Sequence, residues 1–137
     1  SYNTLANNSC SNSSSGIYLS FSDNDNLVNN TCNTNYYGIY LYSSSDDTLA
    51  NNSCGNNGYG IYLSGSNNDR IYHNNLLNNV DQALDDGSNY WDNGYPLGGN
   101  YWSDYTGFDA NGDGIGDVQY NILGGNNQDR YPLMNPV

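Results

Sequence analysis

The sequence predicts an all-β fold. It reads as a right-handed parallel β-helix of 22-residue coils with three short strands each, closed by a C-terminal aromatic cap that carries a calcium-type loop. Three observations predict it. First, residues 45–66, SDDTLANNSCGNNGYGIYLSGS, fall on DNDNLVNNTCNTNYYGIYLYSS when moved back 22 residues, and on SYNTLANNSCSNSSSGIYLSFS when moved back again. A forward move gives a degraded copy, NNDRIYHNNLLNNVDQALDDGS. Second, Ile61 and Leu63 flank Tyr62, which is the alternation of a strand, and no copy carries a helical stripe. Third, Asn, Ser, Gly and Asp fill the intervals between short apolar runs, and these residues favour turns over helix.

The slots explain the elements in order. Leu5, Leu27, Leu49 and Ile71 share one inward position; Cys10, Cys32, Cys54 and Leu76 share the next; Ile17, Ile39, Ile61 and Ala83 a third. In the third copy the strands are expected near Thr48–Ala50, Ser53–Gly55 and Gly60–Ser64. One copy cannot bury its interior, so copies must stack, with a rise of roughly 4.8 Å per coil set by strand spacing. Right-handedness is the default for parallel connections. Stacking turns each slot into a column. Asn8, Asn30, Asn52 and Asn74 are expected at a bend, each amide bonding the next. The cysteine column reads as small buried hydrophobes. In-register parallel side chains point the same way, which suits a disulfide poorly, and no paired CxxC spacing suggests a thiolate metal site.

Residues 1–88 form the four coils and 89–137 the cap. A hydrophobic fraction of 36% suits a thin solenoid core. The net charge is −12, with 14 acidic residues, all of them Asp, against two basic ones, Arg70 and Arg130. That balance speaks against nucleic acid and anionic membrane surfaces, and no apolar span has membrane length. Ser1 opens inside a repeat, which predicts a processed portion of an exported protein. N-x-S/T sequons begin at Asn7, Asn12, Asn29 and Asn51, and three of these share one slot, so glycans are expected along one edge. His73 falls in the same slot and reads as a surface residue. Asp81, Asp85 and Asp86 invite a catalytic reading that turn geometry explains as well.

Beyond Ser88 the apolar groups become large. Trp91, Trp102, Tyr90, Tyr101, Phe108, Ile122 and Leu133 are what an open coil end needs for cover. Within this segment, DANGDGIGD places Asp109, Asn111, Asp113 and Asp117 at positions 1, 3, 5 and 9 of an EF-hand-type loop, with the Ile115 carbonyl at 7 and Gly114 at the turn. Hard oxygen donors at that spacing wrap one calcium ion. Tyr120 replaces the bidentate Glu, so a carboxylate from elsewhere, Asp104 or Asp129, completes the shell in this reading. The plainer reading is a Gly/Asp turn without an ion.

The repeat NNSC…GIYLSGSNN resembles the parallel β-helix repeats of NosD-like and carbohydrate-binding/sugar-hydrolysis proteins. The tail GGNYWSDYTGFDANGDGIGD…YNILGGNNQDRYPL resembles the terminal segment of such repeats in archaeal, methanogen-like cell-surface proteins. The resemblance implies a β-helix at the cell surface. The copper label of NosD does not carry over, because His, Met and Cys donors are nearly absent outside the core.

The expected function is a non-enzymatic extracellular structural module that stacks head to tail with copies of itself, the cap aromatics meeting the first coil. The alternative is a carbohydrate-binding module, with Tyr18, Tyr40, Tyr62 and Tyr42 offering aromatic faces to glycans; a polysaccharide-degrading enzyme ranks below both.

Overall fold

The computed structural model describes all residues 1–137. It has no helix. Parallel strands stack into a β-solenoid of about four turns. One sheet comprises β1 (Thr4–Ala6), β4 (Asn26–Val28), β7 (Thr48–Ala50) and β10 (Arg70–Tyr72). The second comprises β2 (Ser9–Ser11), β5 (Thr31–Asn33), β8 (Ser53–Gly55) and β11 (Asn75–Leu77), and continues into β13 (Tyr101–Trp102). The third comprises β3 (Ser15–Ser20), β6 (Tyr37–Tyr42), β9 (Tyr59–Ser64) and β12 (Asp81–Asp85). Register is exact to the repeat: Leu5 pairs with Leu27, Cys10 with Cys32, Ile17 with Ile39. A fourth, antiparallel pair, β14 (Tyr120–Asn121) and β15 (Gln128–Asp129), belongs to the tail.

The coil turns at four left-handed residues. Around one turn, Asn29, Thr34, Ser43 and Asp46 have φ of 57°, 60°, 47° and 61°. The same positions recur as Asn7, Asn12, Phe21 and Asn24, and as Asn51, Asn56, Gly65 and Asn68. Asn and Asp tolerate this region better than other residues with a Cβ, which is why the chain is so rich in them. The sequon asparagines therefore sit at corners for a backbone reason.

Polar columns run inside the turns. Asn8 bonds through its backbone and side-chain amides to Asn30 Oδ1, at 3.0 and 2.9 Å. Asn30 does the same to Asn52, Asn52 to Asn74, and Asn74 to Asn100. A second column, not singled out in the sequence, runs through Asn35, Asn57 and Asn79. Its presence explains the slot of Gly16, Gly38 and Gly60. A Cβ on Gly38 would stand 2.4 Å from the Gly60 carbonyl oxygen and 2.8 Å from Asn57 Nδ2. In the fourth coil Gln82 takes the glycine position. Its own Oε1 accepts Asn79 Nδ2 at 2.8 Å and ends the column.

The stack does not stop at Ser88. Trp91 enters the leucine slot, with Ile71 N–H donating to the Tyr90 carbonyl at 2.8 Å, and Trp102 pairs with Leu76. Leu123 bridges to Leu84, and Ile122 is buried beside it. Residues 89–104 and 120–124 thus build an interrupted fifth layer on the four regular coils. The core is one cluster from Ile17 to Ile122, and Leu5 and Cys10 of the first coil are only partly covered.

Gly38→Ala is expected to cost about 1–3 kcal/mol through forced overpacking. Urea unfolding checks this.

Candidate functional site

Four features outside the apolar core carry chemistry: the caps with their buried carboxylates, an acidic column, the tyrosine face, and the acidic loop.

The caps repeat one motif. Asn89-Tyr90-Trp91 and Asn100-Tyr101-Trp102 each place an Asn at the end of a polar column, a Tyr outward and a Trp inward. Both tryptophans are fully covered, and each indole N–H donates at 2.8 Å to a buried carboxylate, Trp91 to Asp85 and Trp102 to Asp129. Asp85 also accepts Asn89 Nδ2 and Gly87 N–H, which accounts for its burial without a catalytic role. Asp129 receives Asn100 N–H at 2.7 Å and Tyr131 N–H at 3.1 Å. Burial nonetheless raises its pKa to about 7. Trp102 is stacked on Tyr120 at 4.0 Å. Arg130 clasps Asp92 with two bonds, at 2.7 and 3.0 Å, and holds that carboxyl below its usual range despite burial. The tryptophans expected to meet another copy are thus spent within the chain.

A third column is acidic. Asn3, Asp25 and Asp47 each donate a backbone N–H to Oδ1 of the next member, Asp25, Asp47 and Asp69, at 2.7, 2.7 and 2.8 Å. Asp69 N–H donates to Asn89 Oδ1 at 2.9 Å. The three aspartates are buried, and Oδ2 of Asp47 and of Asp69 has no partner. Burial raises Asp47 to about 6 and Asp69 to about 8. Burial acts on Asp25 too, but hydrogen bonds from Ser22, Asn3 and Ser1 outweigh it and lower its pKa. The 22-residue spacing of these aspartates was available in the sequence and was missed.

The third sheet presents a continuous aromatic face. Tyr18 stacks on Tyr40 at 4.9 Å, Tyr40 on Tyr37 at 4.8 Å, and Tyr37 on Tyr59 at 5.4 Å. Tyr62 meets Tyr40 and Tyr59 edge-on, and Tyr36 and Tyr42 extend the face. Burial and neighbouring rings push the Tyr37 and Tyr40 hydroxyls up. Much of the inner ring surface is consumed by this packing, while Tyr18 (52% exposed) and Tyr36 (58%) keep free faces. The Tyr18, Tyr40, Tyr62 and Tyr42 set was legible in the repeat; Tyr36, Tyr37 and Tyr59 join it only through stacking.

In the acidic loop, Asp109 accepts N–H bonds from Gly112 and Gly114 at 2.8 Å and from Asp113 at 3.2 Å. Gly112 and Gly114 adopt φ of 72° and 89°. Asp113 accepts from Ile115 N–H and Tyr95 O–H, which lower its pKa, and Asn111 Nδ2 also donates to it. Asp117 accepts Ala110 N–H at 2.8 Å. Ile115 is buried, and the Gly114 carbonyl pins Met134 N–H at 2.9 Å. Neither carboxylate expected to complete a calcium shell turns to the loop: Asp129 ends the Asn column, and Asp104 accepts Gln82 and Tyr120. No three His, Cys, Asp or Glu side chains form a ready metal cluster. Asn7, Asn12, Asn29 and Asn51 are all exposed at corners, and His73, half-buried, bonds the Leu97 carbonyl at 2.8 Å.

These features define a parallel β-solenoid with polar ladders and an aromatic flank. The chain belongs to the NosD family: residues 1–107 match the family described as periplasmic copper-binding protein (NosD). No curated protein matches the chain. No helix is long and apolar enough to cross a membrane. The soft donors present do not fit copper. Cys32 and Cys54 are sealed in the core as free thiols, with the Cys32 sulfur and complete burial pushing the Cys54 thiol well up. His73 lies on an outer corner, and Met134 near the C-terminal end.

Trp102→Phe removes the indole N–H from Asp129 Oδ2, which keeps the Asn100 N–H, and leaves a void where the larger ring system stood. A stability loss of about 1–3 kcal/mol is expected, read by denaturant unfolding, with a matching loss for Trp91→Phe at Asp85.

Proposed function

We propose that this chain is a non-enzymatic structural module that works outside the cytoplasm, a stiff shaft for display or adhesion at the cell surface. One observation carries the reading. The buried polar side chains are engaged in columns that cross every layer and end in dedicated caps. Such an arrangement serves rigidity. The periplasmic description of the family supports a place outside the cytoplasm. Copper is no part of the proposal.

Calcium belongs to it as a structural ion. Asp109, Asn111, Asp113 and Asp117 with the Ile115 carbonyl supply oxygen donors at loop spacing, and the wrap of the loop about Asp109 supports this. Calcium is expected to raise the melting temperature, EDTA to reverse the gain, and Asp113→Ala to remove it. Equal melting curves in all conditions would refute the ion.

The tyrosine face favours a second reading, carbohydrate binding, because stacked rings with free outer faces match the apolar face of a sugar. The partner is then a glycan; in the structural reading it is a second copy, met by the exposed Phe108, Val118 and Leu123 of the cap rather than by its tryptophans. A glycan array separates the two. Hits that Tyr18→Ala abolishes support carbohydrate binding. A blank array, with calcium-dependent oligomers in light scattering, supports assembly.

A further inference from the structure

The acidic column is built like the two asparagine columns, yet its middle members lack the donor that completes those columns. In the asparagine columns each side chain does two things. Its Oδ1 accepts a backbone N–H from the layer before. Its Nδ2 donates to a carbonyl of that layer, three residues ahead of the slot: Asn30 to Leu5, Asn52 to Leu27 and Asn74 to Leu49 at 2.9 Å, and likewise Asn57 to Cys32 and Asn79 to Cys54. Asn89, at the end of the acidic column, keeps the same rule and donates to the Ser66 carbonyl at 3.0 Å. Register then aims Oδ2 of Asp69 at the Ser44 carbonyl and Oδ2 of Asp47 at the Ser22 carbonyl. No other hydrogen bond reaches either carbonyl, and both Oδ2 atoms are buried without a partner. Two acceptors that face each other out of water are unstable unless a proton lies between them.

We propose that Asp47 and Asp69 are proton-holding sites: each is a carboxylic acid in the folded protein and donates from Oδ2 to the carbonyl of Ser22 and of Ser44 respectively, doing the work of an asparagine. Asp25 is the contrast within the same column. Its Oδ2 accepts the hydroxyls of Ser22 at 2.6 Å and Ser1 at 2.9 Å, so it is complete as an anion.

The surroundings act in the same direction. Asp47 is faced by Asp25, Asp23 and Asp46, and Asp69 by Asp47, Asp85 and Asp46. The adjacent cation, Arg70, lies over the Tyr90 ring at 5.6 Å. Deprotonation sends one proton per site to water and leaves two carboxylates one layer apart inside the shaft. Both groups bind their proton more tightly folded than unfolded. The contribution to stability is therefore full below the unfolded carboxyl pKa and falls as pH rises through about 6 for Asp47 and about 8 for Asp69. The shaft is tightest in mild acid and loosens in mild base, the reverse of a carboxylate held by cations.

Thermal unfolding of the full chain from pH 4.5 to 9, with and without EDTA, tests this for the wild type, Asp69→Asn and Asp47→Asn. The wild-type Tm should fall as pH rises from 4.5 to about 8 and level off above that. Asp69→Asn should come nearest to it at pH 4.5, exceed it at pH 8.5 and flatten the fall. In wild-type protein labelled with 13C at the aspartate carboxyls, three resonances should titrate above pH 5.5, Asp129 among them, and one of the other two should vanish in each variant. This readout stands even where a variant fails to fold. Completion of the Asp47 and Asp69 titrations below pH 5 overturns the proposal. So does an equal Tm loss for Asp69→Asn at both pH values. A cation-dependent Tm that Asp69→Asn abolishes would put a metal, not a proton, between the oxygens, and overturns it too.

Discussion

One interaction recurs through this molecule: an inward polar side chain accepts the backbone N–H of the equivalent residue one coil away. Asn52 receives Asn30 in this way, Asn57 receives Asn35, Ser66 receives Ser44, and Asp69 receives Asp47. A thin coil cannot turn without exposing backbone amides to its interior, where no water is available to them. Each column satisfies the amides that strand pairing leaves over at a corner. The apolar core supplies cohesion, but the columns decide where the chain bends and therefore its cross-section.

Other choices follow from that constraint. Glycine at positions 16, 38 and 60 follows from the close approach of the next coil's carbonyl and, just behind it, of the column amide, which together fill the volume of a Cβ. The left-handed corners just outside the columns select Asn and Asp again. A column must also end, because its last member presents unsatisfied donors. The chain answers with Gln82, with Asp129, which accepts the Asn100 N–H, and with Asn127, which accepts the Asn89 N–H, and it sets beside them tryptophans whose indole N–H groups bond buried carboxylates. The irregular C-terminal segment is thus the set of terminators that the regular part requires.

The outer surface is freed for function by this internal economy. The third sheet has the longest strands, and there the repeat places tyrosines one coil apart, close enough to stack into a flank. The acidic loop stands off the stack between two strands of the tail, tied by Gly114 and Gly116 to the Met134 and Pro132 segment. Acidic charge spread over nearly the whole chain suits a surface exposed to solvent and cations.

The sequence by itself determined the coil length, the register and the inward slots, because a repeat of 22 residues aligns every position with its own copy and leaves stacking no other phase. It also marked the Asn8 column and the outward Tyr18 column, which need nothing beyond nearest-neighbour copies. Tertiary structure decided the rest. The fifth layer was hidden because Trp91, Trp102 and Ile122 come from separated segments, and the 22-residue spacing fails once loops interrupt it. Asp129 looked like a free ligand and proved to be a column's end, a role set by a residue 29 positions away. The difference between Asp25 and Asp69, identical in slot and residue type, rests on which groups surround the second oxygen. Local pattern fixes what repeats; long-range packing fixes how the repetition is brought to an end.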